Sequence, residues 1–205
     1  MQSPKHIIAF FLTMALGVLG ALYYPHYLAE QGMTARLTTL LTTDPPVSTL
    51  PVLQKTTRCV IKEGLPDSEC TPGSVFPNVT LDTICVKGYT KTVRNVPVKL
   101  KKAVYASYDV SFPQPRGSYE LDHVIPLALG GNNESANLFP QPAEPSPGFR
   151  EKDVVEIWLY KEACAGRINL DTAQYEIARN WLSIYDGIPK EERERIRSEF
   201  KNWSN

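Results

Sequence analysis

His6 and His26 flank an apolar stretch near the N-terminus, which leaves His123 as the only imidazole of residues 58–205. Centres that need two or three histidines, the common catalytic zinc sites among them, are thereby excluded for that part of the chain. If histidine chemistry occurs, His123 performs it. It sits in YELDHVIPL (residues 119–127), a short β-like stretch in which Asp122 precedes it directly. Gly130, Gly131 and an asparagine-rich loop with Asn133 and Asn137 follow. A neutral imidazole near pH 7 is a suitable general base. Successive residues of a strand point to opposite faces, so the Asp122 carboxylate need not compete for the same water and is free to hold a hard cation. A lone histidine in a strand is more often structural. The adjacent carboxylate, the Gly-Gly turn and the two asparagines argue for chemistry instead.

The nearest concentration of positive charge is residues 87–116, where Lys87, Lys91, Arg94, Lys99, Lys101, Lys102 and Arg116 face a single acid, Asp109. Beside a cation and a general base, such a patch can track a phosphate backbone without reading bases. The plainer alternative is a solvated face. The whole chain balances 22 basic against 22 acidic side chains, so any contact with a polyanion must be local. No reading helix, zinc finger or aromatic RNA signature accompanies the patch, which argues against sequence specificity.

Taken together, DHVIPLALGGNNESANL (residues 122–138) has the pattern D-H-x-I-P-L-x-x-G-G-x-N-x-x-x-N-L. In this it resembles the HNH nucleases of the ββα-metal superfamily, in particular an exported bacterial branch, over residues 72–185. The resemblance implies an α+β fold in which two antiparallel strands, near residues 119–126 and 137–141, and a helix near residues 149–164 grip one divalent ion. Mg²⁺ is the first choice, with Mn²⁺ and Zn²⁺ as alternatives. It implies that His123 is the general base, that Asp122 is a metal ligand, and that Asn137 fixes the loop and orients the histidine. Asn133 would brace the Gly130-Gly131 turn, with ordinary turn chemistry as the alternative. HNH proteins supply a further ligand as His or Asn from the helix, whereas this helix offers Arg150, Glu151, Lys152, Asp153 and Glu156. Glu156 ranks first and Asp153 second, one turn apart on one face; each could also be a salt-bridge partner. Phe139 stands where relatives often carry Trp.

The elements that would position these residues follow from the rest of the chain. Residues 7–24 (IIAFFLTMALGVLGALYY) are uncharged and apolar over the length of a membrane-crossing helix or a signal peptide. Lys5 lies before them and Arg36 well after, so the positive-inside bias puts residues 1–6 in the cytoplasm and the remainder outside. We expect an uncleaved single-pass anchor, or secretion if the segment is removed. Residues 25–57 are rich in Thr and Pro and suit a tether. Cys59, Cys70, Cys85 and Cys164 lack the close spacing of tetrahedral zinc sites, and an exported chain favours disulfides. Of the three pairings, Cys59 with Cys70 and Cys85 with Cys164 is preferred; four free thiols are the alternative.

Residues 58–185 form the expected single domain, with 42% hydrophobic residues and 21% charged ones in the chain as a whole, ordinary globular values. Asp171 and Gln174 resemble a capping box opening a helix whose Ala173, Ile177, Trp181 and Ile184 recur at core spacing. Residues 186–205 read as a charged, solvent-facing helix. The expected function is a metal-dependent endonuclease acting on DNA, and on RNA as an extension, outside the cytoplasmic membrane. A non-catalytic envelope or nucleic-acid-binding protein on the same scaffold is the rival. A secreted nuclease toxin with an immunity protein as partner is a third expectation.

Overall fold

The computed structural model describes residues 50–200, the side chain of Phe200 excepted. The expected membrane segment and most of the Thr/Pro tether lie outside the described residues. Among the described residues no helix is long and apolar enough to cross a membrane. The architecture of the described residues is mixed α+β, with six helices and one two-stranded antiparallel sheet. In chain order these are α1 (Leu81–Ile84), α2 (Tyr89–Val93), α3 (Val98–Ser107), β1 (Tyr119–His123), β2 (Leu138–Pro142), α4 (Phe149–Cys164), α5 (Leu170–Gly187) and α6 (Lys190–Phe200).

β1 and β2 run antiparallel with His123 opposite Leu138, Asp122 opposite Phe139 and Glu120 opposite Gln141. Residues 124–137 connect them through two short 3-10 turns, so the sheet is a long-looped hairpin. The link is compact because Gly130 adopts φ +82° and a Cβ on Gly131 would lie 1.7 Å from the Ile125 carbonyl oxygen. No other residue type fits at Gly131. Helix α4 starts where the Glu151 carboxylate accepts the Gly148 backbone N–H at 2.8 Å. It buries Val154, Val155, Trp158, Leu159 and Ala163 against β1, α5 and α6.

Both preferred disulfides are present. Cys59–Cys70 closes a short loop beside Tyr108, Val124 and Phe139 in one core cluster. Cys85–Cys164 ties the end of α1 to the end of α4 across 79 residues.

One expectation at the C-terminal end is corrected. Asp171 does not cap α5: the Asn169 side chain accepts the Asp171 N–H at 2.8 Å, so the cap lies two residues earlier. Helix α6 presents most of its residues to solvent and docks by one face: Ile196 is fully buried, and Arg197 donates to Glu151 of α4 and to Tyr185 of α5. One apolar residue among many charges is enough to choose the docking face.

Candidate active site

Two constructions meet at the end of β1. The first is built on Asn137, which is fully buried. Its Oδ1 accepts the Ile125 and Ser74 backbone N–H groups at 2.9 and 3.3 Å, and its Nδ2 donates to the Ile125 and Asn132 carbonyls at 2.9 and 2.8 Å. One amide thus satisfies three buried backbone groups and one part-buried one, and closes the Gly-Gly loop onto the end of the strand. Asn132, which the motif leaves unassigned, extends this brace: it donates to Ser74 Oγ and to the Val75 carbonyl, and accepts the Glu134 N–H.

Asn133 does something different from the turn bracing expected of it. Its Nδ2 donates to the Val93 carbonyl of α2 at 2.7 Å, which leaves its Oδ1 facing His123 Nε2 at 3.2 Å. An amide oxygen only accepts, so His123 Nε2 carries the proton and Nδ1 is the basic nitrogen of the neutral ring. His123 is buried, and that burial lowers its pKa below the ordinary histidine value; the Asn133 bond and the Asp122 charge oppose this, while Arg94 and Lys152 add to it. The imidazole is therefore neutral at pH 7 and able to take a proton. Asn137 fixes the loop, and it is Asn133 that contacts the ring.

The second construction is ionic. Lys152 of α4 is 1% exposed, and its ammonium donates to Asp122 Oδ2 at 3.0 Å, to the His123 carbonyl at 2.7 Å and to Glu156 Oε1 at 2.5 Å. Three N–H bonds meet three acceptors, which exhausts the donor capacity of a lysine. Burial works against the charge, but Asp122 and Glu156 outweigh it and hold the lysine above its ordinary pKa. Asp122 Oδ1 meanwhile accepts the His123 N–H at 2.7 Å.

Glu156 is pushed up to about 7 by burial and by Asp122 and Glu120, with Lys152 opposing. Asp153 is pushed up to about 8 by burial and by Glu156, Asp122 and Glu120. Asp153 makes no ion pair among the described residues, whereas Glu156 touches the ammonium. Glu120 is also raised, by burial first and Asp122 second.

The donor set does not make a ready cage for the divalent ion expected of it. Both Asp122 and Glu156 turn an oxygen onto Lys152, and among the described residues no three His, Cys, Asp or Glu side chains gather as a metal-holding group. An ion on those two oxygens would have to take the place of the ammonium. Gln141, fully buried and opposite Glu120 on the sheet, has both amide atoms without a partner among the described residues.

The basic segment lies alongside. Lys87, Lys91, Arg94, Lys99 and Lys102 are exposed and Lys101 is half-buried. None of the six makes an ion pair among the described residues. The Asn133–Val93 bond ties this segment to the imidazole, and the charge of Arg94 acts on both His123 and Glu120.

Lys152 is the site residue that the sequence reading passes over. A signal for it exists, since Lys152 is in step with Val155, Leu159 and Ala163, the most buried stripe of α4. Comparison with protein-family models, with curated proteins and with solved structures returns no match for this chain.

Proposed function

We propose that this chain hydrolyses phosphodiester bonds of nucleic acid, DNA first and RNA as an extension, with His123 as general base and little sequence specificity. The observation that carries the proposal is the single hydrogen-bonded run from the unpaired basic segment through Val93 and Asn133 to a neutral His123. Water attacks phosphorus while its proton passes to His123 Nδ1. The bond from phosphorus to the leaving sugar oxygen breaks, and that oxygen takes a proton from solvent. The exposed cations Lys87, Lys91, Arg94, Lys99 and Lys102, with Lys101, would hold the phosphate backbone. A divalent ion would supply charge neutralisation at the phosphate; Asp122 and Glu156, the side chains expected to hold it, are engaged by Lys152.

The two disulfides support an oxidising setting outside the cytoplasm, with anchoring or secretion through residues 7–24 as part of the same proposal. A second reading, a nucleic-acid-binding scaffold without catalysis, is favoured by the deep burial of His123 at 5% exposure. Plasmid nicking by the full-length chain, with Mg²⁺ and with EDTA, separates them. Nicking that falls by about 10² or more in His123→Ala supports hydrolysis. Nicking that persists in that variant removes His123 from the mechanism, and plasmid binding without nicking supports the scaffold.

A further inference from the structure

We propose that the Lys152 ammonium is a built-in cation that joins β1 to α4 at the position a divalent ion would occupy, making Lys152 a positioning residue for the Asp122-His123 end of the strand. The inference goes beyond the hydrolytic proposal and stands or falls on its own readout. A metal that joins strand to helix in such a site must do three things: attract a carboxylate from each element, fix the strand end, and be held away from water. Lys152 does all three. It draws Asp122 Oδ2 from β1 and Glu156 Oε1 from α4, it fixes the His123 carbonyl, and it is 1% exposed.

The two charges cannot share the place. Mg²⁺ sits at about 2.1 Å from its oxygen ligands and tolerates little departure from octahedral geometry. An ion on the same two carboxylate oxygens would meet a like charge within contact range, in a pocket where burial weakens screening. The ammonium is tethered to a helix backbone in step with Val155, Leu159 and Ala163, so it cannot leave without unpacking that stripe. The carboxylates are thereby committed to an internal partner, and the strand end, with the histidine on it, is held by the chain's own covalent cation.

Calorimetric titration of Mn²⁺ into the full-length chain at pH 7 tests this. The wild type is expected to show no saturable site below about 1 mM, and Lys152→Ala to gain one at least about tenfold tighter, as two freed carboxylates acquire room for an ion. That gained site should vanish in the Lys152→Ala/Asp122→Ala double variant, whereas Lys152→Arg, which keeps a cation in place, should bind no more Mn²⁺ than the wild type. A saturable wild-type site that Asp122→Ala removes would overturn the inference, and so would the absence of any gain in Lys152→Ala. If Lys152→Ala does not fold in EDTA, refolding is read by near-UV circular dichroism with and without Mn²⁺. Recovery in Mn²⁺ alone supports the built-in cation, and failure to recover in either contradicts it.

Discussion

The two constructions at the end of β1 hold the same few residues by different physics. Around Asn137 the bonds are neutral, amide to backbone, and three of the side chain's four contacts are buried, the one to Ser74 being part-buried. Around Lys152 the bonds are charged, and the carboxylates remain partly open to solvent, 14% for the Asp122 side chain and 20% for Glu156. A neutral brace is indifferent to pH and salt. A charged one responds to both, because its strength depends on which carboxylates are ionised. The loop geometry is thus set by the insensitive brace, while strand and helix are joined by the sensitive one.

The comparison breaks first at Asn137. Asn137→Ala leaves four backbone groups without partners, and should cost about 4 kcal/mol, more than the net worth of the bonds themselves because three of the groups stay buried. Urea denaturation at pH 5 and pH 8 should give the same loss at both. A loss that depends strongly on pH would mean that the amide brace is coupled to the ionic one.

Lys152→Met keeps most of the side-chain volume and removes the charge. Stranding Asp122 and Glu156 should cost about 3 kcal/mol at neutral pH, less than at a fully buried pair because both carboxylates reach some water. The loss should shrink on acidification as the freed carboxylates protonate. An unchanged loss at pH 4 would show that packing, not charge, is what Lys152 supplies.

The smallest effect is the pH dependence of the wild type. Asp153 and Glu156 hold protons in the folded chain that the unfolded chain releases near pH 4. Between about pH 4 and pH 8 the folded state therefore binds more protons, and stability falls as pH rises. His123 acts in the opposite sense, since its folded pKa is lowered and its contribution is complete above about pH 6.5. Between pH 6.5 and 8 this raised pair acts unopposed by His123, facing Glu120, itself raised, and Asp122 from β1 and Lys152 from α4. Thermal unfolding should show a modest decline over that window, and Asp153→Asn should flatten it. A flat wild-type profile would contradict the raised pair.

Much of the framework is legible without coordinates because it is locally encoded. The family resemblance implies two strands near residues 119–126 and 137–141, and the sheet forms over Tyr119–His123 and Leu138–Pro142. The same resemblance implies a helix near residues 149–164, and α4 spans Phe149–Cys164. The disulfide pairing was a choice among three, and the fold adopts it. What the sequence hides is which polar side chain meets which. Adjacent asparagines divide their labour, Asn132 on the turn and Asn133 on the imidazole, and nothing in an N-N pair says which goes where. Asn169 and Asp171 compete for one helix cap and are separated by a single backbone turn. Lys152 lies in a run of helix charges that resembles a solvated face, and only its register with the apolar stripe marks it as buried.

The central claim is that Asn133 and burial hold His123 as a neutral ring with Nε2 protonated and Nδ1 basic. Nitrogen-15 NMR of histidine-labelled, full-length chain reads both facts at one residue, with His123→Ala assigning its resonances against those of His6 and His26. The account predicts the Nε2–H tautomer between pH 6.5 and 8, a titration midpoint below the free-histidine value of about 6.5, and loss of the tautomer preference in Asn133→Ala. An Nδ1–H tautomer, or an imidazolium persisting at pH 7, would contradict it.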